Sequence, residues 1–308
     1  MRLKYTWIPF VLSLMVLIPM RFLQFAAQIA GVESFLISRD FVYVLLGLVA
    51  VFVLVIISMS LLSKNVPENI KIRKNIVSAV FATISGLLMV YSGGVALPVA
   101  FSGALEGSEP IKIAVLGLLT LLAGVVFLLV AACYYSGRNF FEIMPVVTII
   151  PAIWAGARLV YIYIDHTSSA STVEGTFDVL VFVFLVLFLL EHARMFSNVH
   201  EKNVIKRLFA FGLPAISMAL FYYLPVLYFS LQNAENLNLN LVARYLVYIS
   251  LALYILSVLV DISLALRKIS VFQQECLENG CAGEEAPECS AVDADADIDV
   301  EEKSNPSR

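Results

Sequence analysis

The chain has 308 residues, 60% of them apolar and only 14% charged, with a mean hydropathy of +0.90. A soluble domain of this size has no core large enough for so much apolar surface, and the apolar residues fall in long uncharged runs rather than in the alternating pattern of an outer-membrane barrel, which leaves an all-α, polytopic helical membrane protein. The net charge of −4 joins two unlike parts, since residues 269–308 carry eleven acids and two bases and the rest carries eighteen bases and thirteen acids; those bases sit in short loops and form no continuous face for nucleic acid.

Eight stretches long enough to cross roughly 30 Å of hydrocarbon as helix are predicted. They are 5–22, 41–63, 75–95, 112–135, 144–164, 177–195, 208–230 and 241–266. The first follows Met1-Arg-Leu-Lys4, a basic start that would also suit a signal peptide. No Ala-x-Ala site follows, and Arg21 intervenes, so a retained helix is expected. Basic residues alternate onto one side: Arg2 and Lys4; Lys64, Lys71, Arg73 and Lys74; Arg138; Arg194, Lys202, Lys206 and Arg207; Arg267 and Lys268. The other side holds acids such as Glu33, Asp40, Glu106 and Asp165. The positive-inside rule then places both termini in the cytoplasm, with Tyr and Trp (Trp7, Tyr43, Tyr91, Tyr161, Tyr245) forming interfacial belts.

The two halves, 1–138 and 139–268, share local patterns. Asn65-Val-Pro-Glu68 recurs as Asn198-Val-His-Glu201, and Ile84-Ser-x-x-Leu88-x-x-Tyr91 recurs as Ile216-Ser-x-x-Leu220-x-x-Tyr223. Arg21 and Arg158 occupy comparable places before the next span. Two four-helix repeats of like orientation, with a site between them, are one reading of this; chance matching in apolar sequence is the other.

Polar groups inside apolar runs are the candidate site: Arg158, Asp165, Asp178, Asp261 and Arg21. Arg158 lies toward the outer end of the fifth span, with Asp165 two turns on along the same face and Asp178 opening the next helix, so either acid is a possible partner. Its two readings are an outer anion site aided by Arg21, and a side chain snorkelling to the headgroups beside Trp154 and Tyr161; the nearby interface favours snorkelling, as it does for Arg244. Asp261 in the last span is read either as a carboxylate reaching the inner interface or as a proton or cation relay. Glu191-His192-Ala-Arg194 ends the sixth span, where an ordinary Glu191–Arg194 pair is expected. Pro145, Pro151, Pro214 and Pro225 are expected to kink the fifth and seventh helices, and Gly86, Gly93, Gly94, Gly117, Gly124 and Gly156 to mark close helix contacts.

No Walker motif, Gly-x-Ser-x-Gly or His-Glu-x-x-His occurs, three histidines give a metal site little to work with, and no cofactor or catalytic residue is assigned. The tail is expected to be a disordered acidic cytoplasmic segment: an EF-hand loop starting at Asp293 would need Gly where Ile298 stands and Glu where Ser304 stands. Its Cys276, Cys281 and Cys289 are too irregular for zinc and suit a reducing compartment.

Ile150-Pro-Ala-Ile-Trp-Ala-Gly-Ala-Arg158-Leu-Val, Phe177-Asp-Val-Leu, Leu189-Leu-Glu-His-Ala-Arg194 and Phe209-Ala-Phe-Gly-Leu-Pro together resemble an uncharacterised family of multi-pass membrane proteins of anaerobic Gram-positive bacteria. The resemblance covers mainly residues 145–225 and implies a bacterial cytoplasmic membrane location, without bringing an activity, substrate or active-site residue. The expected function is a non-enzymatic carrier of a small solute or lipid with a site between the halves, its partners being the bilayer, anionic headgroups or a small solute. The alternative is a sensor or accessory subunit acting through protein contacts.

Overall fold

The computed structural model describes residues 3–30, 38–63, 73–102, 109–168, 174–197, 203–232 and 239–278. The tail's acidic run and both copies of the Asn-Val-x-Glu motif lie outside them. The chain divides into two units, 1–266 and 267–308, and the first of them holds the helical bundle.

Every regular element among the described residues is helical. Helices α1 (Trp7–Ile29), α2 (Arg39–Leu61), α3 (Ile76–Phe101), α4 (Glu109–Ser136), α5 (Ile150–Ser168), α6 (Glu174–Phe196), α7 (Val204–Gln232) and α8 (Leu239–Glu278) each contain a segment long and apolar enough to cross a membrane. The chain is therefore a multi-pass integral membrane protein. Hydrocarbon offers backbone groups no partner, so a run that enters it must close its own hydrogen bonds, and the helix follows from the apolar length.

Helix α3 runs to Phe101, beyond the 95 read from the sequence, and two other limits differ for identifiable reasons. Helix α1 continues well past Arg21, because that guanidinium turns inward and donates from Nη1 to Gln24 Oε1 at 2.5 Å, one turn along the same helix. Helix α8 runs on to Glu278, so its helical backbone includes the beginning of the stretch read as tail.

Polar side chains define the helix starts. Ser38 caps α2 by accepting from Phe41 N at 3.2 Å, and Asn75 caps α3 by accepting from Val77 N and Ser78 N at 3.0 and 3.2 Å. Helix α4 stops at Gly137, whose φ of 69° is the left-handed conformation open to glycine, while its N–H bonds Cys133 O at 2.8 Å. Between α4 and α5, Asn139 caps a short 3₁₀ turn at Phe140–Glu142, and its Nδ2 donates to Phe196 O at 2.8 Å, fastening this link to the end of α6.

The prolines are divided by position. Pro145 opens a 3₁₀ turn ahead of α5, and Pro151 lies in the first turn of α5, where an N–H has no intrahelical partner to lose; neither kinks the helix as expected. Pro214 and Pro225 do lie inside α7.

Packing is dense around α7, which lies against α1, α2 and α6. Phe177 of α6 meets Phe221 of α7 edge-on at 5.3 Å, and Phe127 of α4 meets Tyr254 of α8 at 5.5 Å. Helices α3 and α4 form a hairpin at backbone contact distance. A Cβ built on Gly93 would stand 2.7 Å from Gly117 O, and one on Gly124 would stand 2.9 Å from Gly86 O. Gly94 and Gly156, read with them as contact glycines, have open space at that position, because they fall on other faces of their helices.

The two halves do not pack alike. Helix α6 lies against α5 and α7, whereas its counterpart α2 lies against α1 and α7. Tyr223 is buried and its counterpart Tyr91 exposed. A repeated arrangement of the two halves is not confirmed by these contacts.

Candidate functional site: a polar pocket between α3, α4, α5 and α8

A cavity of about 270 Å³ opens between α3 and α4 of the first half and α5 and α8 of the second. Small side chains make the room, notably Ser92 and Ala96 on α3, Gly117 on α4 and Ala243 on α8. Long polar ones reach into it. Trp154, Arg158 and Tyr161 fall at i, i+4 and i+7 of α5, hence on one face, and Asn240, Arg244 and Tyr248 recur every fourth residue along α8. Trp154 stands near the middle of its span, and the others lie in the halves of their spans remote from the basic loops.

Arg158 is half-buried, with its guanidinium 5.3 Å from the centre of the Tyr161 ring. Its Nε is buried without a hydrogen-bond partner. Arg244 is exposed and lines the cavity from α8. Neither arginine forms an ion pair among the described residues.

The surrounding shell is rigid and aromatic. Trp154 Nε1 donates to Thr120 Oγ1 at 2.9 Å, tying α5 to α4. Tyr248 packs edge-on against Phe182 at 5.3 Å and lies 4.6 Å from the ring of Tyr223, whose hydroxyl donates to Asp178 Oδ1. Arg158 is within electrostatic range of Tyr248, Asp178 and Tyr223, and Asp178, in the first turns of α6, does not line the cavity.

The other candidate residues lie elsewhere. Asp165 is exposed and does not line the cavity. Arg21 is 1% exposed, far more buried than its place near a helix end implied, and is surrounded by the rings of Phe25, Phe177, Phe221 and Tyr222 at 4.7–5.8 Å. It therefore does not join Arg158 in one site. Asp261 is partly buried near Tyr134, at the opposite end of the bundle from the pocket.

That end holds a second polar cluster. Glu191 pairs with Arg194 at 2.8 Å, as the spacing indicated, and also with Arg207 of α7 at 3.4 Å. His192 is buried, with Nε2 2.6 Å from Tyr254 Oη. Among the described residues no group of three or more His, Cys, Asp or Glu is placed to hold a metal ion.

Sequence reading missed Arg244, Asn240 and Tyr248 as members of the site, although the four-residue spacing on α8 was a usable signal. Arg244 was read singly as a snorkelling residue; the shared face becomes meaningful only with α5 opposite. No protein-family model, curated protein or solved structure matches the chain, so the chemistry of the site is read from its own residues.

Proposed function

We propose that the protein is a carrier of a small solute or lipid in the bacterial cytoplasmic membrane, with both termini cytoplasmic and its substrate site in the pocket between α3, α4, α5 and α8. The observation that carries this reading is the pocket itself, a polar cavity between helices of both halves in a bundle that elsewhere packs aromatic side chains tightly. Ligand sites in helical membrane proteins are built in such interhelical spaces, and ionisable residues held there mark substrate pathways. Pro214 and Pro225 inside the central α7 give the bundle places to bend.

The dense core around α6, α7 and α8 favours the second reading, an accessory subunit that binds at this pocket without moving anything across the membrane. Two-sided access separates the two. Ala96→Cys and Val99→Cys, made in a cysteine-free background and reconstituted in vesicles, are treated with an impermeant thiol reagent from either side. A carrier exposes at least one of these positions to each side in turn. Labelling from one side only removes the carrier reading.

A further inference from the structure

We infer that the ligand of this pocket carries an oxyanion head, a carboxylate or phosphate, held between Arg158 and Arg244. The inference rests on reading the pocket as the substrate site and names the chemistry it selects. Two guanidiniums line one cavity of about 270 Å³, and among the described residues no acidic side chain lines it with them. Asp178, which is within electrostatic range of Arg158, does not line the cavity and accepts a hydrogen bond from the Tyr223 hydroxyl. Two guanidiniums on one lining disfavour a cation there and are stabilised by an anion.

Geometry narrows the class further. A guanidinium presents paired N–H donors that match the two oxygens of a carboxylate or phosphate, and Arg158 is held in place by the Tyr161 ring beneath it. Tyr248 adds a hydroxyl on the same wall as Arg244. Val95, Val99, Ile113 and Leu116 form an apolar part of the lining that suits an alkyl substituent. The volume accommodates a compact head and a short apolar part; it lies just below the roughly 300–1,000 Å³ of pockets for drug-sized molecules. A lipid headgroup and a free small acid share this chemistry.

Trp154 lines the pocket, so its fluorescence reports occupancy directly once Trp7, the other tryptophan, is replaced by Phe. Purified Trp7→Phe protein in neutral detergent is titrated with inorganic phosphate, dihexanoyl phosphatidic acid and, as a headless control, dihexanoylglycerol. A saturable change is expected with at least one phosphate-bearing probe and none with dihexanoylglycerol. Saturation by phosphate alone assigns the solute; saturation by phosphatidic acid alone assigns the lipid.

Arg158→Gln and Arg244→Gln should each weaken that binding at least about tenfold, the value of a charge-assisted hydrogen bond. Arg158→Lys should fall between wild type and Gln, because it keeps the charge and loses the fork, and it serves as the test should a Gln variant fail to fold. Arg138→Gln, remote from the pocket, should bind as wild type. An absent response to both phosphate probes, an equal response to dihexanoylglycerol, or undiminished affinity in the arginine variants overturns the inference. Anion binding with one-sided thiol access removes only the carrier reading, and two-sided access without anion binding removes only this one.

Discussion

His192 and Tyr254 show how much a single residue depends on a neighbour from elsewhere in the chain. In sequence His192 stands in a charged helix end and reads as interfacial, yet in the fold it is buried against Tyr254 with its Nε2 2.6 Å from the hydroxyl. Removing one partner strands the other in a place without water, so Tyr254→Phe should lower stability by about 1–2 kcal/mol. The measurement is the thermal midpoint in detergent, compared with the His192→Phe/Tyr254→Phe double variant, which should regain part of the loss. A double variant no more stable than the single would contradict the assigned pair. Glu191 makes the complementary point: its bond to Arg194 was legible because the residues are one turn apart, while its second partner, Arg207, arrives from α7 and no local spacing announces it. Accordingly Glu191→Ala, which leaves two arginines without their shared carboxylate, should destabilise more than Arg194→Ala, whose side chain is 41% exposed and adds a largely solvated pair. Equal shifts in midpoint would argue that Arg207 gains nothing from Glu191.

At the scale of elements, the α3–α4 hairpin is where composition alone was least informative. Glycines are common in membrane helices, and treating all six alike as contact positions was right for Gly86, Gly93, Gly117 and Gly124 and wrong for Gly94 and Gly156. The discriminating pattern is the seven-residue interval, Gly86 to Gly93 on α3 and Gly117 to Gly124 on α4, which returns to the same helix face after two turns. Two antiparallel helices with that interval meet twice, Gly86 with Gly124 and Gly93 with Gly117. Gly93→Ala places a methyl 2.7 Å from a backbone oxygen that cannot swing aside, so the helices must separate, at a cost of about 1–3 kcal/mol. Gly94→Ala meets nothing and gains helix propensity, so it should leave the protein as stable or slightly more so. Because the hairpin forms one side of the pocket, Gly93→Ala should also change the Trp154 emission, whereas Gly94→Ala should not. Equal stability of the two alanine variants would show that the close approach is not maintained in the membrane.

For the whole molecule, eight spans were legible because lipid leaves the backbone no choice, and their observed limits lie close to those read from apolar length. Which helix touches which was not legible, since lipid and a neighbouring helix are both apolar and ask for the same side chains: Leu54 is exposed and Val53, its neighbour on α2, is buried, with nothing in their types to separate them. Orientation rests on a different physical term, the bias of basic loops toward the cytoplasm, and has a consequence for the pocket. Arg158 lies past the middle of its span and Arg244 near the start of α8, both in the half remote from the basic loops, so if those loops face the cytoplasm the pocket occupies the outer half of the membrane and its anionic ligand arrives from the outer leaflet or the exterior. Single cysteines placed after Lys74, Arg138, Lys206 and Lys268 in a cysteine-free background should resist an impermeant maleimide on intact cells and react in inverted vesicles. A cysteine at the exposed Asp165 should do the reverse. Labelling of all five sites with the opposite sidedness would keep the fold and turn the pocket to the cytoplasmic leaflet, where the same two arginines would draw their ligand from inside. Labelling of only one or two sites from the wrong side would mean that a span does not cross, and the pairing of α5 with α8 around one pocket would then have no basis.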